Sequence, residues 1–305
     1  MDCSFNNQDL KNLEEIKEFL DSNNIEYSTE YSNFCLFFDN PDGKRSYEIE
    51  YIPSIAFPIS YPKFNIEGVD KNFFYNLSVE AENNNSFKMW IKGYEWENLR
   101  QKEVLKSYIL HAAGKTPNKI NGRDCEIRVV EPKIARQFEL ENCFYGKRGA
   151  SLSLGLYLKK DVGEIKKDTL VMLYTFGMNF FAKTDSIIEI IRVGTLKFCH
   201  VNGGSSKLLK HFINNYKEIQ IGKKIINVKQ LKFYSDYDHN LGMSMNELGF
   251  EFLGYSGGGF MNYWIEDNIV KQREPMRHKW VMEQMNNGKC LAIPNAGVKT
   301  YIMNL

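Results

Sequence analysis

Apolar residues recur at steps of three and four over residues 9 to 24, where Leu10, Leu13, Ile16, Phe19 and Leu20 share one face with charges between them. That spacing predicts an amphipathic helix, stopped by Asn23-Asn24. The pattern then shortens. Phe34 to Phe38 and Tyr47 to Ile52 read as strands, joined by Asn40-Pro41-Asp42-Gly43. That tetrapeptide is a turn signal with a mechanism, because Pro presets φ and Gly accepts positive φ. Residues 53 to 72, with Pro53, Pro58 and Pro62, read as irregular. Phe87 to Ile91 is a short strand, and residues 97 to 113 form a helix with Leu99, Val104, Leu105, Tyr108 and Ile109 on one face.

Gly114-Lys115-Thr116-Pro117-Asn118 breaks that helix, and a domain boundary falls between it and Pro132. The division is placed at residues 1–122 and 123–305. Beyond it, Glu126 to Val130 alternates as a strand, and a helix follows over 132 to 142 with Pro132 at its start. Strands are predicted at 152–158, 170–176, 187–193, 231–235, 250–253 and 262–265. A helix over 207–216 follows Val201-Asn202-Gly203-Gly204-Ser205-Ser206, and a short helix over 242–248 ends at Gly249, a C-cap signal. Many strands with few helices give an α+β class with a mixed sheet.

Composition narrows the function classes. The 305 residues are 43% hydrophobic and 25% charged, which excludes a disordered chain or a coiled coil. A net charge of +1 excludes a strongly basic nucleic-acid coat and leaves room for a local basic face. No apolar run reaches the roughly 18 residues of a membrane span, and the first residues lack the order of a signal peptide. The expectation is therefore a cytoplasmic protein with no membrane partner. The six cysteines form no Cys-x-x-Cys pair, so they read as reduced and structural.

Several clusters carry candidate chemistry. Gly203, Gly204, Ser205, Ser206 and Lys207 open a helix; two glycines let backbone approach a ligand, and the helix start offers free N–H groups. The same stretch also reads as a plain capped turn, with Ser205 or Ser206 as N-cap. Tyr234, Asp236, Asp238 and His239 put four titratable groups within six residues at a strand end, either a catalytic set or a solvated loop. Cys143 is a nucleophile only with a depressed pKa, and otherwise a buried structural thiol. Glu189 and Arg192, three apart in one strand, are expected on opposite sheet faces. Glu48 and Glu50 share one face of a strand and, with Asp39, are the available acids for a Mg²⁺ site. Lys271, Arg273, Arg277, His278 and Lys279 cluster near Trp280, a patch suited to phosphates or to a solvated face.

The order of elements in the second half resembles the GNAT acyltransferase fold. Glu247-Leu248-Gly249-Phe250 looks like that family's closing motif, and Gly203 to Leu209 resembles its pyrophosphate loop and following helix. Over roughly residues 86 to 305 the chain resembles a phage group, the Hef-like homing endonucleases, which join a nuclease domain to a GNAT-like part. The matching stretches are Tyr94-Glu95-Trp96, Lys106 to Ile109, Arg136 to Asn142, Gly203 to Phe212, Asn262 to Ile265, Arg273 to Lys279 and Asn295-Ala296-Gly297.

The resemblance implies a small, degenerate restriction-endonuclease-like α/β domain followed by a GNAT-like mixed sheet with flanking helices. It implies acetyl-CoA or another acyl-CoA donor at Gly203–Lys207, and DNA as partner in a phage-infected bacterial host. The implied activity is transfer to a nucleobase or other amine, for which Asp236, Asp238, His239 and Tyr234 are the candidate polar groups and Cys143 a candidate nucleophile. The alternatives are Mg²⁺-dependent DNA cleavage at Asp39, Glu48 and Glu50, and a non-catalytic DNA-binding or phage–host interaction protein. Met245 stands where many GNAT enzymes carry the acid tyrosine, and Asn142-Cys143-Phe144-Tyr145-Gly146 replaces the phage group's Asn-His-Leu-Gln-Gly.

Overall fold

The computed structural model describes residues 7–29, 35–43, 45–53, 72–178, 186–240, 242–266, 269–271, 283, 287 and 290–305. Among them are seven α-helices, α1 (Asn7–Ser22), α2 (Phe73–Asn83), α3 (Gly93–Glu97), α4 (Leu99–Ala112), α5 (Pro132–Asn142), α6 (Gly204–Asn215) and α7 (Met243–Glu247). The strands are β1 (Cys35–Asp39), β2 (Ser46–Ile52), β3 (Ser86–Lys92), β4 (Asn118–Asn121), β5 (Cys125–Val129), β6 (Leu152–Leu158), β7 (Leu170–Met178), β8 (Ile187–Thr195), β9 (Cys199–Asn202), β10 (Glu218–Ile221) and β11 (Lys224–Asn227). They continue with β12 (Gln230–Asp236), β13 (Glu251–Tyr255), β14 (Gly259–Glu266), β15 (Ile269–Lys271), β16 (Cys290–Asn295) and β17 (Val298–Asn304). The class is α+β. Two compact units are built from interleaved segments, the first from 1–102, 236–241 and 255–298, the second from 103–235, 242–254 and 299–305.

In the first unit, β1 and β2 form an antiparallel hairpin. Its turn follows the expected chemistry, since Gly43 holds φ +67° and its N–H donates to the Asn40 carbonyl at 2.8 Å. The chain returns through α2, and β3 adds parallel to β2. Alternation sorts the faces. Leu36, Phe38, Ile49, Tyr51, Phe87, Met89 and Ile91 are buried on one side. Glu48, Glu50, Lys88, Trp90 and Lys92 occupy the other.

Helix α1 packs by a stripe that differs from the one its leucines suggest. Leu10 is exposed, whereas Asp9 and Asn12 are buried with Leu13, Ile16 and Leu20. The polar pair is held by Tyr51, whose hydroxyl donates to Asp9 at 2.9 Å and accepts from the Asn12 amide at 3.0 Å. Buried polar groups are tolerated when they are bonded in this way. Helix α2, which the hydrophobic pattern does not announce, likewise buries Phe74, Ser78 and Ala81. Phe74 stacks on Trp90 at 4.2 Å, and the Trp90 indole N–H donates to Ser78 at 2.8 Å. Strands β15, β14 and β16 make a second antiparallel sheet of this unit.

The second unit is built on a seven-stranded sheet in the order β13-β17-β12-β8-β7-β6-β5. Strands β5 to β8 form an antiparallel meander, and β12 runs parallel to β8 after a crossover through α6. The β8–β12 pairing covers only Ile187–Ile190 against Gln230–Phe233. One face of the sheet carries the main core, with Leu154, Leu156, Tyr174, Phe176, Ile188, Leu208 and Phe212. Phe212 of α6 stacks on Phe176 at 4.1 Å. Val130, Ala135, Phe138, Leu170 and Leu173 form a smaller cluster that seats α5. Gly194 permits this close seating, because a Cβ there would meet Cys143 Sγ at 2.9 Å and Phe138 at 3.3 Å.

Candidate functional site

Three of the strand-end residues, Asp236, Asp238 and His239, come together inside the first unit, joined by Lys92 from the end of β3 and Glu95 from α3. Lys92 Nζ lies 2.7 Å from Asp238 Oδ2 and 3.7 Å from Glu95 Oε1. His239 Nδ1 is 2.6 Å from Asp236 Oδ2, and its Nε2 is 3.5 Å from Glu95 Oε2. The backbone closes the set. The Lys92 N–H donates to Glu95 at 3.0 Å, and the Ala296 N–H to Asp238 at 2.6 Å.

The electrostatics follow from burial and pairing. Burial pushes the Glu95 carboxyl up, but Lys92 and then His239 outweigh it and hold it below the usual range. Burial opposes the charged form of His239, yet Asp236 and Glu95 raise it to about 10. Asp236 is likewise raised by burial and brought below its usual range by His239. Asp238 stays raised, chiefly by burial, against the pull of Lys92. Lys92, Glu95, Asp238 and the His239 ring are at most 2% exposed, and only Asp236, at 18%, reaches the surface. This is a buried cluster of charges that pair with one another rather than an open acid–base pair. Lys92 and Glu95 are the members that the sequence reading missed; their signal was only the Tyr94-Glu95-Trp96 motif.

Tyr234 lies in the second unit, half-buried, with Lys232 Nζ 5.0 Å from its ring centroid. Cys143 is buried at the end of α5, its sulfur filling the space that Gly194 leaves. Glu189 and Arg192 do not keep simple alternation. A register shift at Thr175/Phe176 pairs Arg192 with Thr175 while Glu189 pairs with Gly177, so the count that puts them on opposite faces fails.

The Gly203–Lys207 stretch departs from both readings offered for it. The N-cap is Gly203, at φ +68°, and the helix already begins at Gly204, so Ser205 and Ser206 sit inside the first turn and neither caps it. Gly122 packs directly on this helix start: a Cβ on Gly122 would lie 3.2 Å from the Gly204 nitrogen and 3.1 Å from the Asn202 carbonyl. Lys207 Nζ turns back to donate to the carbonyls of Gly122 at 2.9 Å and Cys125 at 2.6 Å. Gly204 itself is wedged against Met172 and Val201. The protein's own backbone therefore covers the cradle, and its cation is already bonded.

The acids of the metal alternative are better placed. Glu48 and Glu50 share a face as expected, and Lys88 of β3 stands between them, its Nζ 2.7 Å from Glu48 and 3.0 Å from Glu50. Burial acts to lower the Lys88 pKa, but Glu50 and Glu48 outweigh it and raise it. Asp39 is exposed at the far end of β1, where it accepts a bond from Ser46 at 2.6 Å. Among the described residues no group of three His, Cys, Asp or Glu side chains is arranged to hold a metal. The donor set is thus two carboxylates, both bonded to the Lys88 ammonium, and it forms no all-protein cage.

Of the basic patch, Lys271 ends β15, while Arg273, Arg277, His278 and Lys279 lie outside the described residues. No described helix is long and apolar enough to cross a membrane. No protein-family model and no curated protein matches the chain.

Proposed function

We propose that the protein acts on nucleic acid, and that its candidate chemistry is metal-assisted phosphodiester cleavage in the first unit. The observation that carries this reading is the convergence of Glu48, Glu50 and Lys88 on one sheet face. Cleavage of a phosphodiester needs carboxylates for a divalent cation and a cation near the attacked phosphate. Glu48 and Glu50 would hold Mg²⁺, which supplies charge neutralisation and a more acidic water. Lys88 holds the two carboxylates side by side, and a metal bound between them would have to displace its ammonium, which would then face the phosphate. No lysine stands two residues after Asp39, Glu48 or Glu50; the parallel register of β3 brings one in from the neighbouring strand.

A GNAT-like identity for the second unit is supported by its order of elements: meander, crossover through α6 to a parallel strand, short α7, Leu248-Gly249-Phe250 and closing strands. Acyl transfer at Gly203–Lys207 is the weaker reading, because Gly122 and Lys207 fill that cradle. The test is nicking of supercoiled DNA with Mg²⁺ or Mn²⁺. Cleavage by the wild type, lost in Glu50→Gln and Lys88→Met, supports the reading. Wild type that leaves the plasmid intact, or variants that cleave as well as wild type, overturns it.

A further inference from the structure

A groove in the second unit runs between α5 and the loop that follows it, lined by Lys133, Arg136, Gln137, Leu140, Lys147 and Arg148, with a volume of about 470 Å³. We propose that this groove binds successive phosphates of a nucleic-acid strand, independently of any cleavage chemistry in the first unit. Positions 133, 136, 137 and 140 fall on one helical face by their spacing of three and four. That puts Lys133 and Arg136 on one wall and Lys147 and Arg148 on the other, all four exposed. Among the described residues none of the four makes an ion pair. Elsewhere on the same unit Arg128, Lys160 and Lys166 are each neutralised by a carboxylate. Arg136 spends only its Nε, on the Pro132 carbonyl at 3.1 Å.

Glu139 lies on the buried face of the same helix, in a neighbouring cavity of about 60 Å³ that shares Arg136 and Arg148 with the groove. It accepts from Thr175 Oγ1 at 3.0 Å and from the Arg148 N–H at 2.8 Å. The second of these bonds fixes the loop that carries Lys147 and Arg148. Burial raises the Glu139 carboxyl, so it offsets the rim's positive charge less than a surface carboxylate would. The exposed acids on the helix are Glu131 and Glu141, and Gln137 bonds Glu141. Two facing pairs of cations along an open groove, none in an ion pair among the described residues and only Arg136 acting on the buried Glu139, suit a chain of phosphates. A single small anion is better held by a closed cradle of backbone amides.

The test is binding of the full chain to a labelled oligonucleotide in EDTA, followed by fluorescence anisotropy over a salt series. Arg136→Ala/Arg148→Ala should weaken binding about tenfold or more and make the slope of log K against log salt shallower by about two. Lys217→Ala/Lys223→Ala removes the same charge from exposed sites elsewhere on the unit and should change neither. Equal loss in both double variants, or no loss in the groove variant, overturns the proposal. So does competition by inorganic pyrophosphate as strong as by unlabelled strand, which marks a small-anion site. Because EDTA removes divalent cations, failure of the cleavage reading leaves this result untouched.

Discussion

The Lys92 ammonium lies 2.7 Å from the Asp238 carboxylate across 146 positions of sequence, and neither side chain is more than 2% exposed. Charges this deep are kept only when each is paired, because an unpaired partner bears its full desolvation penalty. Lys92→Met should therefore destabilise the protein by about 3–5 kcal/mol in urea unfolding. The double variant Lys92→Met/Asp238→Leu should recover a large part of that loss. A single variant within about 0.5 kcal/mol of wild type would show the pair to be dispensable.

The same cluster sets a pH dependence. The pKa of His239 is raised from 6.5 to about 10, so its stabilisation is complete below about pH 6.5 and is lost as pH rises towards 10. Glu95 and Asp236 are depressed, so their contribution is present above the ordinary carboxylate range and fades as acid is added. Unfolding midpoints should fall from pH 7 to pH 10, and His239→Gln should flatten that fall. An unchanged alkaline limb in the variant would assign the dependence to other groups.

Gly194 predicts an overpacking cost. A methyl group there meets Cys143 Sγ at 2.9 Å, so Gly194→Ala should cost about 1–3 kcal/mol. Cys143→Ala removes the obstructing sulfur, and the double variant should be less destabilised than the sum of the singles. Strict additivity in the cycle would mean that the two residues do not meet.

Lys207 predicts a result for the donor as well as for stability. Its ammonium ties the start of α6 to the carbonyls of Gly122 and Cys125, so Lys207→Met should destabilise by about 1–3 kcal/mol. Acetyl-CoA should leave the thermal midpoint of the wild type unchanged. A midpoint that rises with acetyl-CoA, and no longer does so in Gly204→Arg, would restore the transfer reading.

Much of this fold could be read along the chain. The pattern from 152 to 158 became β6 and that from 132 to 142 became α5, because both alternate or repeat without interruption. Helix α2 was illegible because its buried stripe runs through Ser78, a residue whose place inside depends on a bond to Trp90. Leu10 misled for the complementary reason: Tyr51 draws Asp9 and Asn12 inward and turns the helix. At the candidate sites, types and spacing singled out Asp236, Asp238, His239, Glu48 and Glu50. Their partners Lys92, Glu95 and Lys88 arrive through strand pairing and burial, which leave no local trace. The occlusion by Gly122 is a tertiary fact of the same kind.

Strand β17 occupies an interior place in the large sheet, between β13 and β12, although it is made of residues 298–304. During synthesis the strands on either side of it are complete long before it appears, and they cannot join each other without it. Until those last hydrogen bonds form, the nascent unit exposes two open strand edges that invite mispairing. Successful maturation thus waits on a segment that emerges from the ribosome roughly fifty residues after its neighbours, which makes slow translation or a shortened product a hazard for solubility.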